Sequence, residues 1–217
     1  MTRRGLFITV EGGEGVGKST NLAFIEQQLH ERGIHVVRSR EPGGSALGDQ
    51  LRSLLLDVRD DEIVPMAELL MMFAARAQHV QTLIEPTLEK GHWVLCDRFT
   101  DATYAYQCGG RGIAHSIVQN LESTVQQTLR PDLTLLLDAP IETGMARAKK
   151  RGQLDRMEQE ELVFFQRVRA KYLEMAEQEP QRYRVVDASM PLDSVQDALA
   201  EICEQSVRSW REGQMPQ

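Results

Sequence analysis

The stretch Glu11 to Thr20, EGGEGVGKST, decides how the rest of the chain is read. Gly12, four further residues and then Gly17-Lys18-Ser19 make the G-x-x-x-x-G-K-[ST] spacing of a phosphate-binding loop. Before it, Leu6 to Val10 is a short apolar run that suits a buried strand. After it, Leu22, Ile25 and Leu29 recur at helical spacing until Gly33 stops the helix. Strand, glycine loop and helix in that order wrap backbone N–H groups and a helix N-terminus around a polyphosphate. On this reading Gly12, Gly13, Glu14, Gly15, Val16, Gly17, Lys18, Ser19 and Thr20 surround a nucleoside triphosphate. Lys18 reaches its β- and γ-phosphates, and Ser19 holds Mg²⁺.

Working outward, 217 residues fit one α/β domain with a small mobile lid, and a hydrophobic fraction of 41% suffices for a buried core. Lys and Arg number 25 against 32 Asp and Glu; the net charge of −7 argues against a nucleic-acid surface and for a small partner. The start, Met1 to Gly5, leads straight into the first strand and leaves no room for a signal peptide. No apolar run approaches the ~20 residues of a membrane span. Cys96, Cys108 and Cys203 contain no C-x-x-C pair, so neither a disulfide framework nor a zinc site is expected, and the expected address is cytoplasmic.

Strand patterns at Leu6–Val10, Ile34–Arg38, Trp93–Cys96, Leu133–Leu137 and Arg184–Val186 alternate with helical ones. That alternation reads as βαβ units, hence a five-stranded parallel sheet flanked by helices. Leu69, Phe73, Ala77, Val80 and Ile84 mark one long helix, perturbed near Pro86 and finished by Gly91. The charged run Lys149 to Glu161 is the one interruption, and a lid is expected over about 147–160.

The third strand ends in Asp97-Arg98-Phe99. A carboxylate at a strand tip beside the phosphate loop suits the residue that orients hydrated Mg²⁺. Arg98 then faces the cleft with a planar fork matched to phosphate. Asp138 also ends a strand, and loop closure is its expected work. Arg40 to Gly44, REPGG, with Arg52 behind it, adds positive charge on a loop that glycine lets approach a ligand closely. This arginine supply favours an anionic acceptor, a monophosphate over a nucleoside hydroxyl that needs a base. The N-K-x-D and D-x-x-G elements of switch GTPases are absent.

EGGEGVGKST, REPGG at 40–44, Phe73 to Arg76, DRF at 97–99, Tyr106 to Arg111 and RGQLDR at 151–156 together resemble the bacterial thymidylate kinases, nucleoside-monophosphate kinases of the P-loop fold. The resemblance implies ATP as donor, dTMP as acceptor and Mg²⁺ as cofactor. It implies that Phe73 stacks on thymine, that Arg76 donates to O4, and that Gln107 and Thr103 read the remaining base edge, with Tyr104 nearby. It implies Glu14 on the 3′-hydroxyl, Arg52 and Arg98 on the dTMP phosphate, and Pro42 at the acceptor. Glu41 joins Ser19 and Asp97 around the metal and its waters. Lys18, Asp97, Arg98 and a lid arginine are the catalytic set. A homodimer is implied as well, with the helix bearing Phe73 near the interface.

The chain departs from the family pattern at two places. Cys108 stands where glycine is frequent and is expected to be a tolerated small side chain. Gly15 stands where some members carry an arginine in the phosphate loop, so the charge is expected from the lid. Arg151 is the first choice, with Arg147 at the ATP site and Lys150 and Arg156 as further cations. A kinase for another acceptor, such as a deoxynucleoside, and a nucleotide-dependent regulatory or assembly protein that binds ATP without productive phosphoryl transfer are the competing classes.

Overall fold

The computed structural model describes residues 3–58, 62–151 and 155–214. Five apolar runs form β1 (Phe7–Glu11), β2 (Val36–Arg40), β3 (Trp93–Asp97), β4 (Leu133–Asp138) and β5 (Tyr183–Asp187). All pair in parallel, in the order β2-β3-β1-β4-β5, which is the sheet expected from the sequence. β2 alone begins two residues later than its pattern, at Val36 instead of Ile34. β1 is buried along its whole length because helices cover both faces.

The helices are α1 (Lys18–Glu31), α2 (Ala46–Leu56), α3 (Pro65–His79), α4 (Glu85–Glu89), α5 (Thr100–Thr103), α6 (His115–Gln126), α7 (Ile141–Arg151), α8 (Leu162–Gln178) and α9 (Leu192–Glu212). Alternate strand residues feed opposite faces. Ile8 and Val10 meet Leu22, Ile25 and Leu29 of α1 together with Leu199 and Cys203 of α9. On the other face Leu136 meets Leu69 and Phe73 of α3 with Phe165 and Val168 of α8.

Local chemistry sets the element ends. Ser45 caps α2 by accepting from the Gly48 amide at 3.0 Å. Pro65 opens α3, where its missing N–H leaves no hydrogen bond unmade. The long helical pattern after Phe73 runs through a widened π-helical turn at Val80–Ile84 before α4. A second such turn, Tyr104–Gly110, continues α5 and re-aims the side chains that follow Thr103.

The last residues of the strands gather at one edge: Val10 pairs with Asp97, Arg40 with Asp97, and Asp138 with Asp187. Ligands of parallel α/β sheets bind at this edge. The loops there are tied down by ion pairs. Asp138 accepts two bonds from Arg169 of α8, at 2.7 and 2.8 Å, which is the loop-closing work expected of it. Deeper, Asp101 is clamped by Arg182 at 2.6 and 3.0 Å and by the Thr134 hydroxyl at 3.1 Å, which anchors α5 beside β4.

Of the segment expected as a lid, residues 152–154 and the side chain of Arg151 lie outside the described residues. Residues 155–160 dock on the end of α2, where the Arg156 amide donates to the Leu56 carbonyl at 3.2 Å and its Nε to the Leu55 carbonyl at 2.7 Å. Among the described residues no helix is long and apolar enough to cross a membrane.

Candidate active site

The phosphate loop is shaped by backbone contacts that only glycine permits. Gly12, at φ 135°, sits where a Cβ would collide with the Leu137 carbonyl of β4. Gly15, at φ 68°, faces the Gly144 carbonyl of α7 just as closely. A side chain at Gly15 has no room in this structure. Lys18 folds over the loop and donates to the Gly13 carbonyl at 2.6 Å and the Gly12 carbonyl at 3.2 Å. Burial, with the charge of Arg98 added to it, pulls the Lys18 ammonium down to about 8.

Asp97 ends β3, and its Oδ1 is buried without a hydrogen-bond partner. Among the described residues no group of three or more His, Cys, Asp or Glu could hold a metal. An orphaned carboxylate oxygen and the Ser19 hydroxyl at the start of α1 fit Mg²⁺, which takes one or two protein oxygens and completes its shell with phosphate and water. Next to Asp97, Arg98 adopts φ 66°, a left-handed conformation that non-glycine residues hold only where the surroundings enforce it. They do so here. Its Nη2 pairs with Glu14 Oε1 at 2.6 Å and its Nη1 donates to the Gly12 carbonyl at 2.9 Å. The Tyr106 hydroxyl donates to the same Glu14 oxygen at 2.6 Å.

Beside the phosphate loop lies a cavity lined by Glu14, Glu41, Pro42, Arg52, Arg76, Arg98, Thr103 and Gln107, with Leu55, Met72, Phe99 and Met157 as its apolar walls. Arg52 is steadied by the Pro42 carbonyl at 3.0 Å. Arg76 is almost fully enclosed: Nε donates to Glu41 Oε2 at 2.7 Å and Nη2 to the Thr103 hydroxyl at 2.9 Å. Its Nη1 is buried with no partner. Gln107 gives its Nε2 to Glu68 at 2.9 Å, and its Oε1 is likewise buried and unpartnered. Two side chains that line the cavity therefore carry one orphaned donor and one orphaned acceptor. Such atoms cost about 1–3 kcal/mol each until a ligand meets them.

Three sequence expectations are corrected here. Phe73 does not reach the cavity; it is buried in the core under the Arg76 guanidinium, 4.8 Å from it. Met72 lines the cavity instead, because residues 72 and 76 are one turn apart on one helix face and residue 73 is turned away. Tyr104 is turned away too, at the start of the widened turn: it stacks on His115 and donates to Glu122 at 2.5 Å. Tyr106 serves the site in its place. Glu41 gives one oxygen to Arg76 and the other to His79 Nδ1, at 2.9 Å. Burial pushes the Glu41 carboxyl up, but Arg76 and His79 outweigh it and hold it below its ordinary value. Its contacts are those of an anchor for Arg76, not of a neighbour to metal-bound water.

Arg147, expected at the ATP site, donates to the Ala188 carbonyl at 2.9 Å. Arg156 is directed to Glu68 and the end of α2. Cys108 is half-buried and does not line the cavity. Met72 and Glu68 were missed in the sequence, yet a signal for both exists. They lie one and two turns before Arg76, and Glu68 is the lone charge in an otherwise apolar run.

The chain is similar to known proteins over most of its length. A sequence model described as thymidylate kinase matches residues 10–199. A thymidylate kinase of Methylococcus capsulatus is 56% identical over 196 residues, covering 90% of this chain and 93% of that protein. One from Alcanivorax borkumensis is 52% identical over 206 residues, covering 95% and 99%. A crystal structure of thymidylate kinase from Ehrlichia chaffeensis superposes with a TM-score of 0.74 at 30% identity, covering 93% of this chain and 99% of that one.

The lowered Lys18 value has a measurable sign. Free Lys18 loses its proton as pH rises through about 8, whereas a polyphosphate favours the charged form. Triphosphate binding should therefore take up protons at about pH 8.5, little at about pH 7, and weaken as pH rises further. Calorimetric titrations in buffers of different ionisation enthalpy measure this uptake, and Lys18→Arg, which stays charged, should abolish it.

Proposed function

The chain belongs to the thymidylate kinase family, and from that premise we infer that it transfers the γ-phosphate of ATP to dTMP, giving dTDP and ADP. The observation that carries the acceptor is the pair of orphaned atoms. Arg76 Nη1 can only donate, as thymine O4 requires, and Gln107 Oε1 can only accept, as thymine N3–H requires. Arg52 and Arg98 on the same cavity supply the charge for the acceptor phosphate, which favours a monophosphate over a deoxynucleoside. Glu14, held by Arg98 and Tyr106, remains the proposed partner of the 3′-hydroxyl. Thr103 and Pro42 complete the wall, and Met72 takes the ring contact first assigned to Phe73.

In the proposed reaction the dTMP phosphate, already an anion, attacks the γ-phosphorus in line, so alignment and positive charge matter more than a base. Lys18 and the amides of Gly13 to Ser19 hold the donor phosphates. Arg98 lies between donor and acceptor and draws them together. Ser19 and Asp97 are proposed to hold Mg²⁺, which when bound offsets charge on the transferring group. Closing 155–160 over the cavity excludes water that would divert the phosphoryl group. The whole chain is read as one kinase domain containing that lid, within about 147–160. We also propose a cytosolic address, in keeping with three free thiols and open to cell fractionation.

An ADP-release assay over a panel of acceptors tests the function. Release should depend on dTMP; dUMP, lacking one methyl, should be roughly 10–200-fold poorer. dCMP should be poorer still, since its edge opposes donor to Arg76 and acceptor to Gln107. Equal kcat/KM for dCMP and dTMP would sink the assignment, and release without any acceptor would favour a nucleotide-dependent regulator.

With no room at Gly15, Arg151 remains the proposed cation for the transferring group. Arg151→Ala should lower kcat by at least about 10²-fold with little change in the KM for dTMP. An unchanged kcat in steady-state assays returns the role to Arg98.

A homodimer is proposed through α3, where Met66 and Leu70 are 41% and 50% exposed, with Ile117 of α6 at 37%. Leu70→Glu should shift the sedimentation coefficient from dimer to monomer. A native chain that already sediments as a monomer overturns the proposal.

A further inference from the structure

Glu68 lies outside the residues given a role so far, yet it is fully buried beside the acceptor cavity, on the helix that carries Arg76. Its carboxylate collects three partners. Oε1 accepts from Gln107 Nε2 at 2.9 Å, both oxygens accept from Arg111 at 3.3 Å, and Oε2 accepts from Arg156 at 2.5 Å. Burial raises the Glu68 carboxyl, but the bonds from Arg156 and Arg111 outweigh it and hold the group below its ordinary value.

The chemistry of the two base-reading side chains differs. Arg76 has only donors, so its hydrogen-bonding sense is fixed whichever way it turns. Gln107 has an oxygen and an amino group on one rotatable amide, and flipped it would present a donor to the cavity. A carboxylate can only accept, so it admits the amide only with Nε2 toward itself. The flipped state would set oxygen against oxygen and leave an amino group unpaired. Oε1 is thereby left on the side away from Glu68, buried and without a partner, in a side chain that lines the cavity.

We propose that Glu68 is a positioning residue that sets the donor–acceptor sense of base recognition by locking the Gln107 amide. The inference rests on the thymine-reading assignment above and deepens it. Selectivity for an N3–H base then depends on a residue that does not touch the base. Arg156 joins the same carboxylate from the segment 155–160, and this gives a control, since it braces the segment without orienting the amide.

The experiment compares dTMP with 5-methyl-dCMP, which keeps the methyl group and changes only the Watson–Crick edge. In Glu68→Gln the neighbouring amide can donate as well as accept, so Gln107 is free to flip. The ratio of kcat/KM for the two acceptors should fall at least about tenfold, mostly through KM. Calorimetric Kd values for both monophosphates should converge without any turnover. Arg156→Met should weaken both acceptors alike and leave the ratio within about threefold. If Glu68→Gln does not fold, Glu68→Gln/Arg156→Met, measured against Arg156→Met, carries the same comparison.

An unchanged ratio in Glu68→Gln, or an equal fall in Arg156→Met, overturns the proposal and leaves Glu68 a brace for the lid. A wild-type enzyme that accepts both monophosphates equally overturns the thymine reading itself, and this inference with it.

Discussion

The buried ion pair between Arg76 and Glu41, 2.7 Å long with both side chains under 5% exposed, is the contact on which the acceptor site is built. It joins α3 to the loop after β2. The Glu41 amide in turn donates to the Asp97 carbonyl at 2.8 Å, so the same residue is pinned to the tip of β3. Burying such a pair is expensive unless further hydrogen bonds complete it, and removing one partner typically costs 3–5 kcal/mol. Here His79 takes the second oxygen of Glu41, and Thr103 takes a second nitrogen of Arg76. His79 is itself held by Ser39 at 2.6 Å, which carries the network back into β2. What remains is one buried nitrogen with nothing to bond, on a side chain that lines the cavity.

The same pattern recurs around the cavity. Arg98 has Glu14, Arg76 has Glu41, and Arg111 and Arg156 share Glu68. Each guanidinium is held in place by a carboxylate before any ligand arrives, so little side-chain freedom is left to lose on binding. Selectivity then comes from the atoms these pairs leave over. A base that supplies both missing partners relieves two buried, unpaired groups. One with the opposite pattern adds two more. That asymmetry discriminates far more strongly than a single methyl group can.

Gly15 and Gly144 meet backbone to backbone, and a Cβ on Gly144 would likewise strike the Glu14 carbonyl. α7 thus rests directly on the phosphate loop, while Asp155, Arg156 and Met157 line the acceptor cavity. Through Glu14 the loop also touches Arg98 and Tyr106. Donor loop and acceptor cavity are therefore linked by direct contacts.

The chain's own pattern determined the sheet, the phosphate loop and the charged tips of the strands. These rest on local rules: apolar runs of strand length, glycines at a fixed spacing, and a carboxylate where a strand ends beside the loop. Helical periodicity also marked α1 and α3 correctly. Spacing puts Met72 on the face of Arg76, but periodicity by itself did not say whether that face or the one carrying Phe73 meets substrate. Only the packing of α3 against the sheet turned Met72 toward the cavity and Phe73 into the core. Tyr104 and Tyr106 were exchanged likewise, since the widened turn that aims them is a tertiary adjustment with no spacing rule. Glu41 and Glu68 were hardest to read. A carboxylate's work depends on which cations reach it, and those come from residues 35 to 88 positions away, brought together only when the chain folds.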